Sequence, residues 1–249
     1  MKVPYADRDS RLTIQGKKDR LQVVLDIFSR YNSKRNFDRI LDARCGDGSF
    51  SKLLKEVSNA KEVYGFEFYE NKVKLARTRG IMALQIDLDE EDFPFEDNYF
   101  DAICAIDIIE HLYDPDHFLE EIYRTLKPNG LFIVATPNLA SIHNRIALLL
   151  GFQPFCINLS LRCPIGHIYK IRGEKVPPSS HHFRVFTLRS LKEILKHHKF
   201  SIDEVKGAGA VLPDDMPFYK FFRALEEFIS NFPFLSYEVV ILCKKEDKQ

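Results

Sequence analysis

Apolar residues fall in two alternating patterns along this chain. Short continuous runs occur at Ile40-Leu41, Val63-Tyr64-Gly65-Phe66, Met82–Leu88, Tyr99–Ile106 and Leu131–Ala135. Between them lie stretches with helical spacing. Residues 17–31 place Leu21, Val24, Leu25 and Phe28 on one face, and residues 70–79 and the stretch after Pro115 are also predicted helical. The runs lack strict polar alternation, as expected of strands covered on both faces. Strand and helix in regular alternation predict a parallel sheet with helices on both sides, a doubly wound α/β fold.

The pattern resumes at Thr187, a predicted N-cap for a helix carrying Leu188, Leu191, Ile194 and Leu195. A strand is expected at 200–205, an aromatic-rich helix at 218–231 and a final buried strand at 237–243. Residues 138–150 read as an apolar helix, and the apolar run 142–155 reads most simply as core. Residues 151–180 form an irregular run with Pro154, Pro164, Pro177 and Pro178. A long unpatterned insertion after strand five is expected to lie over the strand ends as a lid, 137–186, shaping a pocket.

The first strand ends in Asp42 and passes through Cys45-Gly46-Asp47-Gly48 into a helix from Ser49. Glycines there allow close backbone approach, and the helix start presents free N–H groups to an anionic ligand group. Glu67 closes the second strand, about 20 residues past the loop, where an acid can grip ribose hydroxyls. Asp87 and Asp107 follow the third and fourth strands. Acids converging on the carboxyl ends of neighbouring strands predict a nucleoside-containing ligand.

Five features in order carry a family resemblance: the glycine loop, Glu67, Asp87, Glu110-His111-Leu112-Tyr113-Asp114-Pro115, and Leu126-Lys127-Pro128-Asn129-Gly130. Together they resemble class I S-adenosylmethionine-dependent methyltransferases, in particular the small-molecule branch with ubiquinone-type O-methyltransferases. The likeness covers residues 37–137 motif by motif and the remainder to about 245 more loosely. It implies one domain over 1–249 with a Rossmann-like, mostly parallel seven-stranded sheet whose last strand is antiparallel. It also implies S-adenosyl-L-methionine as cofactor, held by Asp42, Arg44, Gly46, Gly48, Glu67, Phe68, Asp87, Leu88 and Asp107. The acceptor is expected to be a small molecule, sugar or lipid-linked precursor methylated on oxygen.

One position departs from the family. Arg44 stands where the first glycine of the loop is usual; it either supplies a cation near the methionine carboxylate or points to solvent, and the second is expected. A left-handed backbone there would be strained. Reduced affinity or a non-catalytic cofactor-binding protein is the corresponding alternative.

His111, after strand four, is the expected general base, since imidazole titrates near neutral pH. Asp107, Glu110, His111 and His182 together resemble the metal site of small-RNA 3′-end 2′-O-methyltransferases. Many metal-free relatives show the same residues, so no metal is expected. His181, His182 and Arg184, where the lid rejoins the core, are further candidates for contact with an acidic acceptor.

Composition narrows the rest. With 36 basic and 36 acidic side chains the net charge is zero, which argues against general nucleic-acid binding. Residues 1–16 are polar and charged, no run approaches bilayer length, and the five cysteines form no Cys-x-x-Cys pair. A cytoplasmic protein with reduced thiols is expected, with peripheral membrane contact through 142–155 possible.

Overall fold

The computed structural model describes residues 19–33, 35–160, 163, 165–167, 182–210 and 219–246. Seven strands form one sheet: β1 Arg39–Asp42, β2 Glu62–Glu67, β3 Met82–Gln85, β4 Phe100–Ile106, β5 Leu126–Pro137, β6 Phe200–Ala208 and β7 Glu238–Lys245. Their order across the sheet is β3-β2-β1-β4-β5-β7-β6. β1 to β5 pair in parallel, while β7 runs antiparallel to both β5 and β6. The helices are α1 Arg20–Asn32, α2 Ser49–Ser58, α3 Glu70–Thr78, α4 Pro115–Thr125, α5 Ile142–Leu149, α6 Leu188–His197 and α7 Tyr219–Ile229.

The expected doubly wound α/β sheet is therefore present, with one local difference. β3 stops at Gln85, so Asp87 lies past its end. β6 and β7 are antiparallel neighbours, but α7 stands between them in the chain, so they are not joined by a tight turn.

Alternate residues of each strand feed two cores. Ile40, Val63, Cys104 and Ile133 pack with Val24, Phe28, Phe50 and Leu54 of α1 and α2 on one face. Leu41, Phe66, Ile103 and Phe132 pack with Phe118, Ile122, Leu191 and Leu195 of α4 and α6 on the other. Local chemistry starts the helices where the pattern required. Asp114 accepts from the His117 N–H ahead of Pro115, and Thr187 and Ser190 form a reciprocal capping box.

The order reverses between β1 and β4, which are direct neighbours although β2 and β3 separate them in sequence. At such a switch point the following connections leave in opposite directions and open a crevice at the carboxyl ends. Residues 42–48 and 107–111 border it.

Candidate active site

The turn after β1 is held tightly. Asp42 is fully buried and its carboxylate accepts from Ser51 Oγ at 2.7 Å, tying the strand end to α2. Gly46 and Gly48 take left-handed angles, φ 56° and 79°. At Gly48 a Cβ would also sit 2.8 Å from the Ala76 Cα of α3, so a side chain is excluded twice. Gly48 is the N-cap of α2 with no side-chain cap, and Asp47 accepts from the Ser49 N–H at 3.0 Å.

Glu67 ends β2 facing this turn. Burial pushes its carboxyl above the ordinary range, while the Tyr69 N–H and then the charge of Arg44 pull it back. The Tyr69 bond is 3.0 Å. Phe66, Phe68, Ile86, Leu88, Ala43, Arg44 and Ile108 complete a cleft beside Glu67. Asp87 lies between Ile86 and Leu88 of this cleft, and its Oδ1 accepts from the Asp89 N–H at 3.1 Å in the turn after β3.

Across the switch point, Asp107 adopts φ 52° and its carboxylate accepts from Arg20 Nε of α1 at 2.7 Å. Arg20 also lies 3.5 Å from Glu238 Oε2 on β7. Burial first, and then the Asp107 charge, push Glu110 up to about 8. Glu238 is pushed up to about 8 by burial, against the pull of Arg20.

Beyond Asp107 a short 3-10 turn, Ile109–His111, carries two buried polar side chains. Glu110 Oε2 accepts from Thr136 Oγ1 at 2.9 Å, whereas Oε1 has no hydrogen-bond partner among the described residues. His111 is 3% exposed, and the His182 ring stands edge-on to it with centroids 4.8 Å apart. His182 Nδ1 lies 2.8 Å from the Cys156 carbonyl oxygen, so Nδ1 carries the proton and Nε2 is left as the acceptor. Ligand atoms of Glu110, His111 and His182 all lie within 4.8 Å of one another. The Phe183 and Arg184 N–H groups both donate to the Glu110 carbonyl, pinning the returning segment over the turn.

A family model described as a methyltransferase domain matches residues 41–134, from the end of β1 into β5. Residues 41–134 belong to that family. The domain is of the class I kind, and its cofactor is S-adenosylmethionine. Among curated proteins, a probable S-adenosylmethionine-dependent methyltransferase of Mycolicibacterium smegmatis is 28% identical over 171 residues, 68% of this chain and 54% of that protein. The human mitochondrial arginine-hydroxylase is 32% identical over 105 residues, 42% of this chain and 30% of that one. The chain thus spans about half or less of these relatives. An S-adenosylmethionine-dependent methyltransferase from Archaeoglobus fulgidus has the same fold, with TM-score 0.56, 20% identity, and 90% and 94% of the two chains covered.

Most of the methyltransferase domain's cleft fits that cofactor. Glu67 offers a carboxylate for two ribose hydroxyls, Phe68, Leu88 and Ile108 offer apolar walls for a purine, and the glycine turn leaves backbone room for the amino-acid tail. Arg44 is the exception. It does not point to solvent, as the sequence suggested: it is 6% exposed, keeps an ordinary negative φ, and donates from Nη1 to the Asp107 carbonyl at 2.5 Å. The left-handed angles of this turn fall on Gly46 and Gly48 instead, so Arg44 carries no such strain.

Two further outcomes concern the insertion. Its apolar stripe is not core: Asn144 and Ala147 face inward, while Ile146, Leu148, Leu149 and Leu150 are exposed, Leu149 by 85%. His181 and much of the expected lid (161–162, 164 and 168–181) lie outside the described residues. Sequence reasoning missed Arg20 and Glu238. Their only signal was a charged residue at the start of a helix and another at the start of an apolar strand.

Proposed function

We propose that this methyltransferase domain transfers a methyl group to an oxygen of a small or lipid-linked acceptor, with His111 taking up the acceptor's proton. The supporting observation is that Glu67 ends β2 and His111 follows β4, the two strands that flank β1 in the sheet. When bound, the cofactor supplies an electrophilic methyl on a sulfonium whose charge disperses during transfer. The chain's share is therefore alignment, exclusion of water and removal of a proton. His182, fixed by the Cys156 carbonyl, covers His111 from the insertion side. The acceptor would enter between the insertion and the strand ends. Exposed Ile146 and Leu148–Leu150, with Phe221, Leu225 and Phe228 along α7 and Phe232 just after it, favour an acceptor with an apolar tail.

The experiment is product formation from tritiated S-adenosylmethionine with a panel of quinols, phenols and isoprenoid alcohols. Labelled ether in the organic phase, lost roughly 10²–10⁴-fold in His111→Gln, supports the reading. Oxidised or hydroxylated product without label transfer would replace it.

A second reading is favoured by one cluster. Glu110, His111 and His182 offer one carboxylate oxygen and two imidazole nitrogens, and Glu110 Oε1 has no hydrogen-bond partner among the described residues. That donor set suits manganese, iron(II) or magnesium. In this reading His111 is a ligand, chelation abolishes activity, and His182→Ala behaves like His111→Ala. Turnover that survives a chelator removes it.

A further inference from the structure

The part of the cleft beside Glu67 that Arg44, Phe68, Leu88 and Ile108 line has room for only about 10 Å³. That is barely the room one water molecule needs, and too little for a purine. Arg44 is one of the lining residues and the one that crosses the crevice. Its backbone belongs to the turn after β1; its guanidinium reaches the carbonyl of Asp107 after β4, 63 positions away in sequence. Those two turns are the jaws of the switch point. A glycine at 44 would leave that span open.

We infer that Arg44 is a latch across the cofactor cleft, and that binding S-adenosylmethionine requires its guanidinium to leave the Asp107 carbonyl. The inference rests on the cofactor reading of this cleft. Three features support displacement rather than permanent closure. The latch is made by a long, rotatable side chain on a backbone of ordinary angle, so nothing in the main chain must refold. The Asp107 carbonyl that it leaves is a backbone acceptor, which water or a ligand donor can satisfy. Glu67, whose carboxylate feels the Arg44 charge, offers the released guanidinium an anionic partner nearby. The latch also places a cation in the path of a cofactor that is itself a sulfonium cation. The neutral thioether product should therefore be resisted less than the cofactor.

The test is calorimetric titration of S-adenosylmethionine and S-adenosylhomocysteine into the full chain, into Arg44→Gly and into Arg44→Met. Arg44→Met keeps the apolar stem and loses the guanidinium; circular dichroism confirms that each variant is folded. The latch predicts that Arg44→Gly binds both ligands at least ten-fold more tightly than the parent. It also predicts that Arg44→Met gains more for the sulfonium than for the thioether. Equal or weaker binding by both folded variants overturns the latch while leaving the cofactor reading intact. Failure of all three proteins to bind either ligand overturns both.

Discussion

Replacing Glu110 with glutamine removes a carboxyl group that the fold holds protonated well above its ordinary range. Burial, with the Asp107 charge next, takes it to about 8 from an ordinary value of 4.5. Between those two pH values the folded chain keeps a proton that the unfolded chain has released. The contribution to stability is therefore complete below about pH 4.5 and is lost as pH rises towards about 8. Each pH unit is worth about 1.4 kcal/mol, which sets a ceiling of roughly 5 kcal/mol. Glu238 titrates in the same range and shares the effect, so about 3 kcal/mol is expected for Glu110 itself. Urea unfolding followed by circular dichroism at pH 5 and pH 8, in the presence of a chelator, measures it. His167, held below its ordinary range by burial, also responds to pH, and its contribution cancels in the difference between parent and Glu110→Gln. The parent should lose about 3 kcal/mol more than the variant between the two pH values. An identical loss in both proteins would mean that Glu110 is ionised in the fold, and the account of a dry, uncharged carboxyl would fail.

Two further outcomes follow from packing and from the insertion. Gly65→Ala puts a Cβ 2.6 Å from Cys45 Cβ and Sγ, so it should destabilise thermal unfolding by about 1–3 kcal/mol; a neutral effect would show that the turn after β1 yields easily. Amides of residues 157–160 should exchange faster than those of β4 and β5, and slow when an acceptor binds, because this stretch of the insertion has no regular structure of its own. Exchange as slow as the sheet's in the free protein would identify a fixed layer instead.

The strand ends were legible from the sequence because each is marked twice, by an apolar run and by the acid or glycine that closes it. Asp42 and Glu67 were found that way, at the ends of the neighbouring strands β1 and β2. The end of β3 was less legible. Its run reads as apolar through Leu88, but pairing with β2 stops at Gln85, and Asp87 lies in the turn beyond. Arg44 was misread because its direction is set by a carbonyl on another strand, which no local pattern encodes. Arg20 and Asp107 meet across 87 positions for the same reason. The 142–150 stripe was misread in the opposite sense: it is apolar on more sides than the core can cover, so the excess faces outward.

The central claim is that Glu67 holds the ribose of S-adenosylmethionine at this crevice. Isothermal titration of S-adenosylmethionine into the parent chain and into Glu67→Ala tests it without any acceptor. The account predicts saturable one-site binding by the parent and a loss of about 1.5–3 kcal/mol in the variant, the usual worth of hydrogen bonds to a charged group. Unchanged affinity in a folded Glu67→Ala protein would contradict it.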